Sequence, residues 1–301
     1  MTEAGRGHAA MLLFSALVAG SFPLGAAAAN DIAPAALNAV RFALAAGIIG
    51  FAVAARGGVP RAALSAPWRY ALLGGVFGLY FVLMFEGLKT AAPVSAAAVF
   101  TLTPILAAVF GWLLLRQITT PRIAAALALG AAGALWVIFD ADWATLRAFA
   151  VGRGEWIYFW GCVAHAIYTP LVRRLNRGES ALVFTFGTLV AGAVLIGLAG
   201  AGAIAATNWG ALPARVWIAI GYTAVFASAA TFTLLQYASL RLPASKVMAY
   251  TYLVPAWVTV WELALGRAPP PAGVLAGLAL TLVALGLLLR DEEAASPGTR
   301  S

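Results

Sequence analysis

Ten long apolar stretches run along this chain of 301 residues and constrain what it can fold into. A bilayer core about 30 Å thick requires a helix of about 20 apolar residues, and each stretch is close to that length. We number the stretches as segments 1 to 10. They cover residues 8–28, 33–55, 68–88, 93–115, 121–139, 155–174, 180–200, 214–239, 244–265 and 272–290. The pattern predicts an all-α integral membrane protein with ten transmembrane helices.

The composition excludes most classes of soluble protein. Hydrophobic residues make up 63% of the chain and charged residues only 10%, whereas soluble domains are close to half apolar and a quarter charged. The single cysteine excludes a disulfide framework, and two histidines leave little for a metal site. We expect no catalytic residues, no metal and no cofactor. We also expect no bound nucleic acid, because no soluble stretch is long enough to present a basic surface.

The basic residues are unevenly divided between the two ends of the segments. Of 19 Lys and Arg residues, 13 lie on the side that holds both termini and five on the opposite side, while Arg41 lies inside segment 2. Because cytoplasmic loops carry the excess of Lys and Arg, we expect a multi-pass protein of a bacterial-type inner membrane with cytoplasmic N- and C-termini. Segment 1 also resembles a cleaved signal peptide, but the repeat described next needs it as a helix.

Prolines recur at an offset of about half the chain. The pairs are Pro23 and Pro170 (147 residues apart), Pro104 and Pro255 (151), Pro93 and Pro243 (150), and Pro121 and Pro271 (150). Residues 88–95 also align with residues 238–245. Because each half holds an odd number of segments, the second half enters the membrane from the opposite side. The chain is therefore predicted to form two inverted-topology five-helix repeats, residues 1–150 and 151–301, around a central cavity, as in many transporters.

Four of these prolines lie inside segments and are candidate hinges, namely Pro23, Pro104, Pro170 and Pro255. Each removes a helical hydrogen bond and frees the carbonyl four residues earlier. A free carbonyl is costly in hydrocarbon unless protein or water satisfies it. We therefore expect these four helices to face the cavity. The alternative is that membrane helices simply tolerate isolated prolines.

Short motifs of mostly small and apolar residues are spread over both halves of the chain. They are Pro34–Phe42, Leu79–Phe81 with Ala92 and Ser95, Leu102–Pro104, Ala244–Pro255, and the glycines Gly277 and Gly286. Together they resemble the drug/metabolite transporter superfamily, in particular its EamA-type ten-helix members, over nearly the whole chain. One departure is Arg116-Gln117, where that family usually has Gly-Glu. The overall pattern is most similar to the YddG-type amino-acid exporters, which implies export by alternating access.

Aromatic and hydroxyl side chains inside the segments are candidates for the substrate site. The resemblance implies that segments 1, 3, 4, 6, 8 and 9 line the pathway. Aromatic walls with a few hydroxyls, here Thr101, Thr103 and Ser228, suit an amphipathic solute. The candidate substrate-binding residues are Tyr80, Phe100, Thr101, Thr103, His165, Tyr168, Phe226, Tyr250 and Tyr252. The alternative for each of them is packing or contact with lipid.

Three charged residues inside the segments are candidates for coupling or gating. Arg41 would bind a substrate carboxylate or act as a gate, or else it extends to the outer surface or pairs with a neighbouring carbonyl. Glu86 is spaced to pair with Lys89. Glu262 would couple transport to protons or extend to the interface. Proton coupling and facilitated transport therefore both stay open.

The predicted function is a secondary transporter that exports amino acids, preferably aromatic or other apolar ones, or related metabolites. Its partners would be a small-molecule substrate and the lipid bilayer, and it would act as a monomer or weak homodimer. The alternatives are an intramembrane enzyme, a passive channel, or a carrier of drugs or nucleotide sugars. The first two are disfavoured because the sequence contains no His-Glu-x-x-His motif, no Gly-x-Ser-x-Gly elbow and no charged ring or repeated filter.

Overall fold

The structure, a computed structural model, describes residues 3–295, apart from the side chains of residues 4 and 290–295. Within that range it is helical, with no strand. Eight of the predicted segments are helices long and apolar enough to cross a membrane. They are Gly5–Ala28, Pro34–Ala54, Trp68–Gly87, Pro93–Leu115, Pro121–Ile138, Ala181–Ala199, Ala214–Ser239 and Ala272–Leu289. The prediction of a multi-pass, all-α membrane protein is confirmed.

Segments 6 and 9 are helical but are not among those eight. Segment 6 is one helix of 23 residues, Arg153–Leu175, and is more polar because it has charged ends and an internal histidine. Segment 9 is divided into the helix Ala244–Ala249, a 3-10 turn at Tyr250–Leu253 and the helix Val254–Ala264. The count of ten membrane crossings therefore stays a prediction.

Short elements connect the segments, and several of the long helices begin with a proline. The connecting elements are 3-10 turns at Arg61–Ser65 and Trp209–Ala211 and helices at Trp143–Ala148 and Ala201–Ala206. Pro34, Pro93 and Pro121 each stand at the start of a helix, where the missing N–H would have had no partner in any case. The segment boundaries expected from these prolines therefore have a simple local cause.

Three of the four candidate hinge prolines lie at or near a break in a helix. Segment 1 is divided into Glu3–Ala19 and Ser21–Ala28, with Pro23 in the first turn of the second part. Segment 4 is divided into Pro93–Phe100 and Thr103–Leu115, and Pro104 lies at the start of the second helix. In segment 9, Pro255 follows the 3-10 turn. Segment 6 differs, because its helix continues through Pro170 without a break.

Two of the carbonyls freed by these prolines are satisfied within the chain. The Phe100 carbonyl accepts a hydrogen bond from the Thr103 hydroxyl at 2.7 Å. The Thr251 carbonyl accepts one from the backbone N–H of Val254, within the 3-10 turn. In segments 4 and 9 the protein itself therefore satisfies the freed carbonyls, which is one of the two possibilities that the sequence leaves open.

We call two segments counterparts when they occupy the same place in the two repeats, as segments 2 and 7 do. Segments 2, 4 and 5 pack against their counterparts 7, 9 and 10, and each pair runs antiparallel. Between segments 2 and 7, Phe42 lies against Gly192 and Gly50 lies against Phe186, so residue numbers rise along one helix as they fall along the other. The same reversed order holds between segments 4 and 9 and between segments 5 and 10. Antiparallel counterparts are what an inverted repeat requires.

The remaining pairs follow the same pseudo-symmetry. Segment 3 packs against segment 6, and its counterpart segment 8 packs against segment 1. Segments 3 and 6 approach closely because glycines face each other: a Cβ atom on Gly87 would lie 2.6 Å from the carbonyl oxygen of Gly154. Reciprocal pairing of this kind is typical of two similar units related by a two-fold axis.

Candidate functional site

Five rings from three helices stack at the centre of the bundle, and we call them the aromatic column. Phe77 and Tyr80 belong to segment 3, Phe100 to segment 4, and His165 and Tyr168 to segment 6, and all five are buried. The imidazole centre of His165 lies 5.0, 4.5 and 5.2 Å from the ring centres of Phe77, Tyr80 and Phe100. The ring of Tyr168 stacks on Phe77 at 4.1 Å. Phe77 and Tyr80 are three residues apart, and so are His165 and Tyr168. This spacing places the two rings of each pair on the same face of their helix.

The column fills the place where the sequence predicts a central cavity. Ring centres 4–5 Å apart are in stacking contact and leave no room for a solute between them. In this conformation the predicted central cavity is therefore closed at the column. A wider space of about 710 Å³ is an apolar groove between segments 4 and 5, lined in part by Ile105, Trp112 and Leu127.

The hydroxyl groups around the column have protein partners. The Tyr80 and Tyr158 hydroxyls lie 3.1 Å apart. The Tyr168 hydroxyl accepts a hydrogen bond from the side-chain amide of Gln236 at 3.0 Å. These bonds connect segments 3, 6 and 8 and hold the tyrosine rings in their stacked orientation.

His165 differs from the tyrosines of the column because its polar atoms are unsatisfied. Its side chain is buried, and no described protein group bonds either ring nitrogen. A neutral imidazole carries one donor and one acceptor, and leaving a buried polar atom without a partner costs about 1–3 kcal/mol. His165 is therefore the member of the column best placed to bind the polar part of a solute.

Arg41 lies one ring away from the column and is fully buried. Its guanidinium carbon lies 3.7 Å from the ring centre of Phe81, whose ring is 4.5 Å from that of Tyr80. Its Nε donates to the Ser228 hydroxyl at 2.7 Å, and its Nη2 donates to the Ala227 carbonyl at 2.6 Å. The alternative that Arg41 extends to the outer surface is wrong, whereas pairing with a carbonyl is observed.

The Ala227 carbonyl is available to Arg41 because segment 8 contains a π-helical turn at Val225–Ala230. A π-turn widens the helix and is frequently found at functional sites. The counterpart segment 3 is a continuous α-helix, Trp68–Gly87. The π-turn is thus a difference between the two repeats, and it lies where segment 8 meets the buried arginine of segment 2.

Three aromatic candidates lie away from the column. Phe226 is 45% exposed on the outside of the bundle, where its ring contacts Tyr222. The Tyr252 hydroxyl donates to the Leu127 carbonyl at 3.3 Å, which ties segment 9 to segment 5. Tyr250 is hydrogen-bonded to His8 of segment 1 at 2.9 Å. Of the aromatic and imidazole candidates, the structure therefore brings together only Tyr80, Phe100, His165 and Tyr168.

The candidate threonines use their hydroxyls locally. Thr101 donates to the Ala98 carbonyl at 2.6 Å, and Thr103 donates to the Phe100 carbonyl. The Thr103 hydroxyl also lies 3.3 Å from that of Thr251, across the pair of segments 4 and 9. These hydroxyls satisfy helix carbonyls at the break in segment 4, and they do not face the column as free donors.

The two candidate acidic residues are paired with cations near the ends of their segments. Glu86 binds Lys89 at 2.7 Å, in the predicted pair three residues apart. Glu262 lies 3.4 Å from Arg267. The structure thus places both carboxylates at helix ends, apart from the column.

With this geometry in view, known proteins provide a comparison. The EamA-like transporter family matches the chain twice, at residues 5–139 and 152–290. The chain belongs to the EamA-like transporter family. An uncharacterized transporter of Bacillus subtilis (strain 168), YyaM, is 28% identical to it over 284 residues, which cover 92% of this chain and 91% of that protein. One solved crystal structure matches it with a TM-score of 0.72 at 22% identity, over 98% of this chain and 99% of that one, and this likeness shows the fold.

Membership of the EamA-like family and the relative YyaM both point to a transporter rather than an enzyme. The two family matches also show a two-repeat architecture, in agreement with the antiparallel counterparts. The exact boundary between residues 150 and 151 stays a prediction.

At the end of segment 4, this EamA-like chain uses Arg116 and Gln117 in structural roles. Arg116 ends the helix with φ of 56°, the left-handed conformation that favours glycine. The Gln117 side-chain oxygen accepts a hydrogen bond from the backbone N–H of Ala244, at the start of segment 9. A helix start has unpaired N–H groups, so a neutral amide oxygen is sufficient at this position.

Several residues of the site were not among the predicted candidates. Phe77 and Tyr158 lie three and seven residues before Tyr80 and His165, so helical spacing from those two candidates would have found them. Phe81, which contacts Arg41 through its ring face, is a third. The sequence carries no evident signal for the π-turn that brings Ser228 to Arg41.

Proposed function

We propose that this EamA-like transporter exports amino acids with aromatic or other apolar side chains, or closely related metabolites, through the aromatic column. The observation that carries the proposal is the stack of buried rings around the unpartnered imidazole of His165. A solute that passes must separate these rings. Each aromatic pair contributes about 0.5–1.5 kcal/mol beyond its buried area, and an aromatic or branched side chain replaces the contacts that are lost.

The polar end of an amino acid also suits the site. A neutral imidazole presents one donor and one acceptor, which match a carboxylate and an ammonium group. Both ring nitrogens of His165 lack a protein partner among the described residues. A solute that combines an apolar side chain with polar groups of both kinds therefore complements the column better than a purely apolar one.

Alternating access follows from the symmetry of the two halves. The counterpart helices pack antiparallel, so exchanging the conformations of the two repeats opens the opposite face. The closed column represents the occluded state in this scheme. The breaks near Pro23, Pro104 and Pro255 are the hinges that let half-helices tilt, and Pro170 weakens segment 6 by removing one hydrogen bond.

In this proposal all ten segments cross a bacterial inner membrane, and both termini are cytoplasmic. Segment 6 has 23 residues and, at 1.5 Å per residue, is about 34 Å long, which is enough to span the bilayer core. The excess of 13 basic residues over five supports the orientation. The proposed partners are the lipid bilayer and a small-molecule substrate.

The proposal is tested by transport into proteoliposomes. Purified protein is reconstituted, and uptake of labelled phenylalanine, leucine, glutamate and lysine is measured with and without a pH gradient. We expect phenylalanine and leucine to be transported fastest, and the pH gradient separates proton coupling from facilitated transport. Transport of a nucleotide sugar or a drug cation, with no transport of any amino acid, would overturn the proposal.

A matched pair of variants connects this activity to the column. His165→Phe keeps a stacking ring but removes both nitrogens, so we expect amino-acid transport to fall about tenfold or more. Phe51→Leu changes a ring that is 80% exposed on the outside of the bundle and should leave transport unchanged. Wild-type transport by a folded His165→Phe protein would contradict the role of the imidazole.

A further inference from the structure

Arg41 carries a buried positive charge that meets no carboxylate among the described residues. Its partners are a hydroxyl, a backbone carbonyl and the face of Phe81. A buried charge without an opposite charge is strongly unfavourable, and arginine does not lose its proton in proteins. A cation–π contact and two neutral acceptors offset only part of this cost, so the site favours an incoming negative charge.

The hydrogen bonds of Arg41 leave one edge of the guanidinium group available. Ser228 and Ala227 occupy the edge formed by Nε and Nη2. Nη1 has no partner among the described protein groups. Nη1 and the second N–H of Nη2 form the remaining edge, whose parallel donors match the two oxygens of a carboxylate.

The distance from Arg41 to the column suits one small solute. The Arg41 guanidinium carbon is 3.7 Å from the ring centre of Phe81, and that ring centre is 4.5 Å from that of Tyr80. The guanidinium therefore lies no more than about 8 Å from the Tyr80 ring. An aromatic amino acid places its carboxyl carbon roughly 5–6 Å from its ring centre by standard bond lengths, so one molecule reaches both places.

From these contacts we infer that Arg41 is the anchor for a carboxylate on the transported solute, and that this arginine makes a carboxylate a requirement for transport. The aromatic column then selects the side chain of a carboxylate-bearing solute. The inference deepens the proposed function and rests on it for the location of the pathway. It also gives the π-turn of segment 8 a role, since the Ala227 carbonyl and Ser228 hydroxyl orient the guanidinium.

The wild-type protein provides the first test. Competition against labelled phenylalanine in proteoliposomes is measured for unlabelled phenylalanine and for phenylalaninamide, which has the same size but no carboxylate. We expect the amide to compete about 10- to 100-fold more weakly, because a charge-assisted pair is lost. Equal competition by the two compounds would overturn the anchor and leave amino-acid transport standing.

Variants of Arg41 provide the second test. In Arg41→Gln the preference for phenylalanine over its amide should fall to within a few-fold, and Arg41→Lys should retain part of it because it keeps the charge. Folding of each variant is checked by its thermal unfolding, and Phe51→Leu, whose ring is 80% exposed near the end of segment 2, serves as the control with unchanged preference. A folded Arg41→Gln protein with the full wild-type preference would overturn the anchor. If neither Arg41 variant folds, the competition between phenylalanine and its amide on the wild-type protein decides whether the solute's carboxylate is required.

The test also separates the anchor from the proposed function. Transport of carboxylates other than amino acids, with the same dependence on Arg41, would support the anchor and reject amino-acid export. Transport restricted to uncharged or cationic solutes would reject both.

Discussion

Two buried arginines in this protein are equally hidden from solvent but differ in their partners. Arg69, at the start of segment 3, is 1% exposed, and Arg41, inside segment 2, is 0% exposed. Arg69 donates to the Glu179 carboxylate at 2.6 Å and to the Leu175 carbonyl at 2.7 Å. Among the residues that the structure describes, Arg41 donates only to neutral groups and keeps one nitrogen without a partner. The first arrangement satisfies the buried charge with a carboxylate, whereas the second leaves donors for the carboxylate that we propose it binds.

The difference follows from where each arginine lies in the fold. Arg69 faces the turn between segments 6 and 7, where loop backbone and the Glu179 side chain supply acceptors. Arg41 lies among helices, whose carbonyls are largely engaged in helical bonds, and the carbonyl that it meets belongs to the π-turn of segment 8. A buried arginine at a helix end can thus pair with loop groups and stabilise the fold. A buried arginine in the middle of a membrane helix, such as Arg41, depends on an irregular turn for its carbonyl acceptor.

The largest effect on stability is expected from breaking the ion pair between Arg69 and Glu179. Glu179→Gln leaves the buried charge of Arg69 without a carboxylate, so we expect a loss of about 3–5 kcal/mol in the free energy of unfolding. Thermal unfolding of purified protein in detergent measures it. A change below about 1 kcal/mol would show that the Arg69 pair behaves like an exposed one, and the contrast with Arg41 would fail.

A smaller effect is expected from pH, again at Glu179. Burial raises the pKa of this carboxyl, but hydrogen bonds from Arg69 and the backbone N–H of Arg177 outweigh burial and hold the pKa below its usual value of 4.5. The stability that the pair contributes is therefore fully present above about pH 4.5 and is lost as the pH falls through the lowered pKa. Unfolding temperatures measured from pH 7 to pH 3 should fall less steeply in Glu179→Gln than in the wild type. Parallel curves would contradict this.

The smallest effect on stability is expected at Arg41. Arg41→Met removes a buried charge that has no carboxylate partner, and replacing such a charge by an apolar side chain is often neutral or stabilising. The lost bonds to Ser228 and Ala227 oppose this gain, so we expect a change within about 1 kcal/mol. The same thermal unfolding assay measures it. Destabilisation as large as that of Glu179→Gln would show that Arg41 is a structural clamp like Arg69.

Helical spacing predicted part of the site and missed the rest for identifiable reasons. His165 and Tyr168 share a face because they are three residues apart on one helix, and both belong to the column. Phe226 was a candidate because it lies near the middle of segment 8, but depth in the membrane does not fix the helix face, and in the π-turn its ring lies on the outside of the bundle. A periodicity of 3.6 residues holds only where the helix is regular.

The prolines likewise predicted part of the fold and left part of it to the packing of the helices. Their common offset predicted two repeats, and the antiparallel packing of segment 2 on segment 7 agrees with it. It did not distinguish Pro104, which begins a new helix, from Pro170, which lies inside a continuous one. A proline removes one hydrogen bond wherever it occurs, and the packing around it decides whether the helix breaks.

The sequence by itself determined the membrane class, the main apolar segments and the repeat, because hydrophobic length, charge excess and proline spacing are local properties that can be counted along the chain. Only the tertiary structure decided which rings meet in the column, that they close the centre, and that Arg41 contacts Ser228, 187 residues away. Burial and pairing depend on segments far apart in sequence, and a single irregular turn redirects the groups that they bring together.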